Sequence, residues 1–324
     1  MVKELTRPEP ALRRGAAPDT AWAFFNGTFM PLADAKVSVL THGLNYGTGV
    51  FEGIRAYWNA DEGQLYALHL REHYERLLRS CKILKLEVPH TAPELVEITL
   101  ELIRRCGYRE DCYLRPLAFM ADEIIGVRLH DLTTSFTVFA VPFGTYIDID
   151  HGISCGVSSW RRTDDNAIPA RAKITGSYVN AALAKTEAQE AGYDEAIVLT
   201  QEGHVSEGSA ENLFIVRDGV LITPPGTENI LEGIVRASIL RIAADEGIPV
   251  QIRPIDRTEL YICDELFLCG TGAQVSPVTS VDRRPVGAGA IGPITGRLSR
   301  IYFAAVHGKG DRYRSWVTPV YPRA

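Results

Sequence analysis

The sequence predicts an α+β protein of two domains. Helical and strand-like stretches do not alternate strictly, which sets the chain apart from a doubly wound parallel sheet. Asn26-Gly27 and Asp218-Gly219 each separate two short apolar runs, the pattern of an antiparallel hairpin. The 324 residues are enough to bury two full cores, and 46% hydrophobic with 23% charged residues is ordinary globular composition.

The expected elements follow from local pattern. Residues 1–20 ("MVKELTRPEPALRRGAAPDT") are polar and Pro-rich, read as a disordered tail with no apolar signal core. "AFFNGTFMP" is the first hairpin, and "GVFEGIRAYW" and "QLYALHL" are strands around the turn "NADEG". An amphipathic helix runs from about Arg71 to Lys82, and a second covers "TAPELVEITLELIRRCG", with Thr91 as N-cap and Gly107 as its stop. Strands "CYLRPLAFM" and "SFTVFAVPFG" complete a first domain, 21–147. The composition changes at "GTYIDIDHG", so the second domain is placed at 148–324. It opens with "HGISCGVSSW" and continues through a helix from Tyr178 to Ala191 and the strand "EAIVL". The hairpin "NLFIVRDGVLITPP", the helix "GIVRASILRIAADEG", the buried strand "DELFLCG" and the helix "ITGRLSRIYFAAV" follow. There is no internal repeat.

Charge and composition exclude several classes of function. A net charge of −6 with no basic run argues against nucleic acid and anionic membrane as partners. No apolar stretch reaches the ~20 residues that span a bilayer. The six cysteines have no paired spacing and lie in apolar runs, which suits buried thiols in a reducing cytoplasm.

Three motifs mislead. "GAGAIG" (287–292) matches a dinucleotide fingerprint in letters, but Pro293 follows at once and no strand–helix–strand frame surrounds it, so it reads as a glycine-rich loop. "HLREH" (69–73) matches an inverted zinc-protease pattern without a distant third ligand, and reads as a satisfied surface pair. No metal site is expected. Asn26-Gly27-Thr28 is a glycosylation sequon in form only.

"RAKITGSY" (171–178) raises the question of chemistry. Lys173 sits among small and apolar neighbours, either snorkelling at a strand edge or held out of water to form an imine. Three further segments bear on that choice. "HVSEGSAENLF" sets Glu207 at a turn among small residues, as close approach to a flat ring requires. "ILEGIVRAS" starts a helix at Gly233, whose free N–H groups suit an anion. "FLCGTGAQVS" ends a buried strand in Gly270-Thr271-Gly272, with exposed N–H groups and a hydroxyl.

Together these segments resemble the fold type IV pyridoxal-phosphate enzymes, specifically the branched-chain amino acid aminotransferases, over about residues 21 to 310. The resemblance implies a two-domain fold with pyridoxal 5'-phosphate between the domains. It makes Lys173 the catalytic lysine, Tyr178 the partner of the cofactor's phenolic oxygen and Glu207 the partner of its ring N–H. Arg76, in "REHYERLLRS", would hold the phosphate with the N–H groups of Ile234 and Val235 and the Thr271 hydroxyl. Many relatives carry threonine where this chain has Val235, which implies one phosphate hydrogen bond fewer. "NYGTGVFEGIRAY" and "YLRP" resemble the family's substrate-side signatures. Phe51, Tyr113, Phe143 and Tyr146 would line an apolar pocket, while Arg115 and the amides around Thr271, Gly272 and Ala273 receive carboxylates. Tyr46 and Val127 would reach in from a neighbouring subunit, implying at least a homodimer. The implied reaction is ping-pong transfer of an amino group between leucine, isoleucine or valine and 2-oxoglutarate in the cytoplasm. A D-amino acid or (R)-amine transaminase would use the same Lys173, Tyr178 and Glu207 with a different pocket, and stays open on sequence. So do a nicotinamide-dependent oxidoreductase built on "GAGAIG" and a noncatalytic binding protein.

Overall fold

A computed structural model gives the structure of residues 18, 20–144 and 151–322. The tail expected over 1–20, apart from Pro18 and Thr20, and the boundary expected at 147/148 lie outside the described residues. The first part contains β1 (Trp22–Phe25), β2 (Thr28–Pro31), α1 (His42–Tyr46), β3 (Gly49–Phe51), β4 (Ile54–Asn59) and β5 (Gln64–Leu68). After these come α2 (Leu70–Leu84), α3 (Ala92–Cys106), β6 (Cys112–Met120) and β7 (Thr134–Pro142). The β1–β2 turn falls at Asn26-Gly27, both with positive φ, as its sequence requires. A capping box starts α3: the Thr91 N–H donates to Glu94 Oε2 at 2.7 Å, while Gly107 ends the helix in the left-handed region.

The second part runs β8 (Ile153–Arg161), α4 (Tyr178–Glu190), β9 (Glu195–Leu199), β10 (Val205–Gly208), β11 (Asn212–Arg217) and β12 (Val220–Thr223). It continues with α5 (Ile234–Asp245), β13 (Val250–Ile252), β14 (Glu265–Gly270), β15 (Gln274–Val281), β16 (Arg284–Pro285), α6 (Pro293–Val306) and β17 (Val317–Pro319). Two sheets result. The first is antiparallel, ordered β17-β5-β4-β6-β7-β1-β2 with β3 beside β6; the second is mixed, ordered β10-β9-β8-β15-β14-β11-β12-β13 with β16 beside β15. β17 therefore returns from the C-terminal end to pair with β5. One hydrophobic core crosses both sheets, packing Tyr57, Tyr66 and Leu68 with Phe214, Ile239 and Tyr302.

Several expectations need correcting. "GVFEGIRAYW" is not one strand: it breaks at Glu52-Gly53 into β3 and β4. The Glu52 carboxylate turns inward to bind His73 and Arg76. A Cβ on Gly53 would stand 2.0 Å from the Tyr113 hydroxyl. "HLREH" is not a surface pair, since His69 and His73 are both buried and bonded, to Ser238 and Glu52. β15 is not legible as a strand because Pro277 interrupts it, yet it pairs with β14 from Gln274 to Val278. "GAGAIG" is a loop between β16 and α6. The first N–H groups of α6 already bind the Glu265 carboxylate, from Ile294 at 3.0 Å and Thr295 at 2.7 Å.

The connection between β8 and α4 crosses to the first sheet along β3. The Phe51 N–H donates to the Lys173 carbonyl at 3.0 Å, and the Thr175 N–H to the Gly49 carbonyl at 2.8 Å. Residues 172–175 are thus laid antiparallel on β3, with Val50 bridged to Ile174. The chain crosses itself just beyond, where a Cβ on Gly47 would lie 2.7 Å from the Gly176 Cα. Only glycine permits that approach, and Gly47 also has a φ of +65°.

Candidate active site

A cavity of about 920 Å³ opens between the sheets, lined by residues of both. Lys173 enters it from the segment on β3, and its Nζ donates to the Tyr178 hydroxyl at 2.5 Å. Tyr178 is the first residue of α4, so five residues of tight turn set that pair. The Phe51 ring meets Tyr178 edge-on, with centroids 4.7 Å apart, and lies 5.0 Å from the Lys173 ammonium. The amine therefore sits against aromatic faces.

Glu207 lies on β10, not at a turn, and a bulge between Val205 and Glu207 aims it inward. Its carboxylate is 3% exposed. Oε1 pairs with Arg162 Nη2 at 2.8 Å, while Oε2 accepts from Asn212 Nδ2 at 3.0 Å and the Leu231 N–H at 3.1 Å. Burial pushes Glu207 up, and the Arg162 charge and the Leu231 bond oppose that rise. A carboxylate has about four lone-pair directions, so one on Oε1 is left without a partner among the described residues, and Glu207 lines the cavity. Asn212 also donates to the Leu231 carbonyl at 2.8 Å, tying Glu207 to the loop before α5. A Cβ on Gly233 would fall 1.9 Å from the Asn212 Oδ1, so the helix can start this close only with glycine there.

Just after that loop, Gly233, Ile234 and Val235 line the cavity where α5 begins, with no side chain capping the helix. Arg76 stands beside them, 6% exposed. Its Nε and Nη2 donate to Glu52 at 2.7 and 2.8 Å, and Nη1 donates to the Glu232 carbonyl at 3.0 Å. Among the described residues this spends three of the five guanidinium N–H bonds and leaves two for an anion. Burial would raise Glu52, but the Arg76 charge and hydrogen bonds, with the His73 bond, hold it far below the usual carboxylate range. Thr271, Gly272 and Ala273 form a turn on the same cavity between β14 and β15.

The remaining wall is aromatic. Tyr113 and Phe143 pack at 5.3 Å between centroids, and the Arg115 guanidinium lies 4.6 Å over Phe51. Arg115 Nη2 donates to the Tyr113 hydroxyl at 3.3 Å, and its buried Nε has no partner among the described residues. Tyr146 lies outside the described residues. Tyr46 and Val127 do not reach the cavity of their own chain. Tyr46 accepts a bond from the Gly126 N–H at 3.1 Å, and Val127 is 88% exposed on the outer surface. Cys269 also lines the cavity, but burial pushes its thiol up, so it is no nucleophile.

Sequence reasoning missed four supports: Glu52 and His73 behind Arg76, and Arg162 and Asn212 behind Glu207. His73 could have been found three residues before Arg76, on the same helix face. The Glu52 and Arg162 contacts join residues far apart in the chain and carry no local signal. None of the described residues forms a metal-ligand cluster. No helix among them is long and apolar enough to cross a membrane. All six cysteines are free thiols, five buried and Cys106 half-buried.

The cavity's donor set suits pyridoxal phosphate. It offers a lysine with a phenol beside it, a supported carboxylate, and an arginine with spare donors at an uncapped helix start. Two sheets enclosing such a site define a class, and the family model for amino-transferase class IV matches residues 49–281. A probable branched-chain-amino-acid aminotransferase of Aquifex aeolicus is 51% identical over 303 residues, covering 93% of this chain and 97% of its own. The branched-chain aminotransferase of Thermoproteus uzoniensis, solved with norvaline, superposes with a TM-score of 0.89 at 46% identity, covering 93% of this chain and 99% of its own. That of Thermobaculum terrenum, solved in its PLP-bound holo-form, gives 0.90 at 37% identity, covering 94% of this chain and 100% of its own. The chain belongs to the class IV aminotransferases, fold type IV, and within them to the branched-chain-amino-acid aminotransferase family.

A second acidic group adjoins the cavity. Glu211 is buried beside Glu195, which pairs with Lys185, and burial with the Glu195 charge pushes Glu211 up from 4.5 to about 8. The folded state therefore holds this proton more tightly than the unfolded chain. The stability it confers is complete below about pH 4.5 and is lost as pH rises through about 8. Glu211→Gln is expected to gain stability over the parent progressively between those limits, levelling off above them, in urea unfolding at constant salt. A pH-independent difference would contradict a protonated Glu211.

Proposed function

We propose that this protein is a branched-chain amino acid aminotransferase, moving an amino group between L-leucine, L-isoleucine or L-valine and 2-oxoglutarate. The observation that carries the reading is the convergence of Lys173–Tyr178, Glu207 and the Arg76 end on one cavity whose other wall is aromatic. Lys173 would hold pyridoxal phosphate covalently, with Tyr178 at its phenolic oxygen and Glu207 at its ring N–H. Arg76, the Ile234 and Val235 N–H groups and the Thr271 hydroxyl would hold its phosphate. Once bound, the cofactor supplies an electron sink for negative charge at the substrate α-carbon. Lys173 Nζ is the base that takes the α-proton and returns it, and Tyr178 keeps that amine directed. The ionised Glu207, fixed by Arg162, Asn212 and Leu231, keeps the ring nitrogen protonated. Phe51, Tyr113 and Phe143 exclude water and accept a branched aliphatic side chain, with each buried methylene contributing about 0.8 kcal/mol. The amides of Thr271, Gly272 and Ala273 take the α-carboxylate. The six free thiols suit a cytoplasmic enzyme.

The working unit is a homodimer. Val39, Leu44, Ile125 and Val127 are 62–88% exposed on the segments that meet at the Tyr46–Gly126 bond. Burying such a patch against a second copy would bring Tyr46 and Val127 to that copy's cavity. The parent should sediment as a dimer at micromolar concentration and Val127→Glu as a monomer; a monomeric parent would remove this part of the reading.

Incubation with L-leucine and 2-oxoglutarate should yield glutamate, and Lys173→Ala should lower the rate by at least about 10²–10⁴-fold. A Lys173 variant with ordinary turnover would overturn the assignment.

Arg115 separates the two substrates. Its buried Nε and the Tyr113 hydroxyl stand ready for the distal carboxylate of glutamate, which an apolar wall alone would leave unpaired. Arg115→Ala is expected to cost glutamate and 2-oxoglutarate roughly 2–5 kcal/mol in kcat/KM while leucine loses little. Equal losses for both donors would instead put Arg115 on the α-carboxylate.

A further inference from the structure

Arg76 is a permanent charge with acidic groups on both sides. Inside lies Glu52, fully buried, accepting from Arg76 at 2.7 and 2.8 Å and from the His73 Nδ1–H at 2.8 Å. Outside, Glu72, Glu75 and Glu232 line a smaller cavity of about 420 Å³ that Arg76 also borders. Those three carboxylates are 41–65% exposed, and they pair with the buried His69 and the exposed Arg71 and Arg171 respectively. A guanidinium freed from Glu52 would be drawn outward to them, away from the start of α5.

We propose that Glu52 and His73 are positioning residues for phosphate recognition: they hold Arg76 turned toward the large cavity, though neither touches it. The proposal rests on the reading that Arg76 binds the cofactor's phosphate. The bidentate contact fixes the plane of the guanidinium, since both donors on one edge are committed to one carboxylate. The Glu232 carbonyl fixes a third donor, so the guanidinium is held through three of its N–H bonds and two remain unspent among the described residues. His73 completes the device. Its Nδ1–H saturates Glu52 Oε2, and burial, which lowers its pKa, keeps the ring neutral beside Arg76. A charged histidine there would compete with Arg76 for the same carboxylate. The neighbouring bond from His69 Nε2 to the Ser238 hydroxyl, 2.9 Å, ties the start of α2 to α5 independently. The helix pair thus survives loss of Glu52 while the aim of Arg76 does not.

The test compares pyridoxal 5'-phosphate with pyridoxal, which lacks the phosphate but keeps the aldehyde and ring that Lys173, Tyr178 and Glu207 would meet. Cofactor-free enzyme is titrated with each by absorbance, and the ratio of the two dissociation constants measures the preference for phosphate. Glu52→Gln should lower that preference about tenfold or more, the scale of one misaligned charge-assisted bond, with pyridoxal affinity changed less than about twofold. His73→Phe should lower it in the same direction by a smaller factor. The His73 variant serves if Glu52→Gln does not fold, and unfolding transitions of the cofactor-free variants confirm that each is native. An unchanged preference in folded variants, or equal weakening of both ligands, would overturn the proposal. Arg76→Gln is the separate control: if it leaves the preference intact, the phosphate role of Arg76 itself fails, whatever the Glu52 variant does.

Discussion

Three residues of backbone, Gly49–Phe51, hold the connection between β8 and α4 in register with the first sheet. On one edge they pair with β6; on the other they carry the segment that bears Lys173, so both edges of β3 are satisfied inside the molecule. Buried peptide groups must find partners, which makes this pairing obligatory and positions the lysine to hydrogen-bond accuracy. The side chains then follow from strand alternation and the break after it. Phe51 faces the lysine and Tyr178, and the next residue, Glu52, turns away to clamp Arg76. One short strand and the residue after it therefore set both Lys173 and the Arg76 charge beside the cavity.

The electrostatics of the cavity rest on supported charges. Isolated ions would be costly to bury, and Glu207 and Arg76 each have several partners. Glu207 is held by a cation, an amide and a backbone N–H, and Arg76 by a carboxylate and a carbonyl. Glu211 shows the other resolution. With Glu195 already paired to Lys185, a second nearby negative charge is disfavoured and the proton stays on. Burial thus pushes up two carboxyls a short way apart on the same segment, one met by the Arg162 charge and hydrogen bonds and the other facing a second negative charge.

On the substrate side, aromatic rings and one guanidinium share a wall. Arg115 lies flat on Phe51 and bonds Tyr113, which lets it remain in an apolar surface when an aliphatic side chain is present. In the proposed reaction the same group would turn its Nε, without a partner among the described residues, to a substrate carboxylate, so that taking an aliphatic or an acidic side chain would be a choice between stacking and ion pairing. In the proposed dimer the outer face bearing Tyr46 and Val127 completes the partner's wall, because a chain's own cavity lacks both residues.

Local physics made much of this legible in the sequence. Hairpins at Asn26-Gly27 and Asp218-Gly219, the Thr91 N-cap and Gly107 stop of α3, and the helix beginning at Tyr178 depend on neighbouring residues, and each lies where its pattern put it. Lys173, Tyr178, Arg76 and Glu207 were identifiable because they sit in short segments with a recognisable family likeness. Tertiary structure alone decided the rest. The strand through Glu52 breaks because its carboxylate has a buried partner on α2, and β15 forms across Pro277 because β14 supplies the pairing. β17 joins the first sheet from the opposite end of the chain. The supports behind Arg76 and Glu207 are likewise contacts between distant segments. A sequence specifies such contacts only through the folded whole, since neither partner alters the other's local periodicity, capping or turn chemistry.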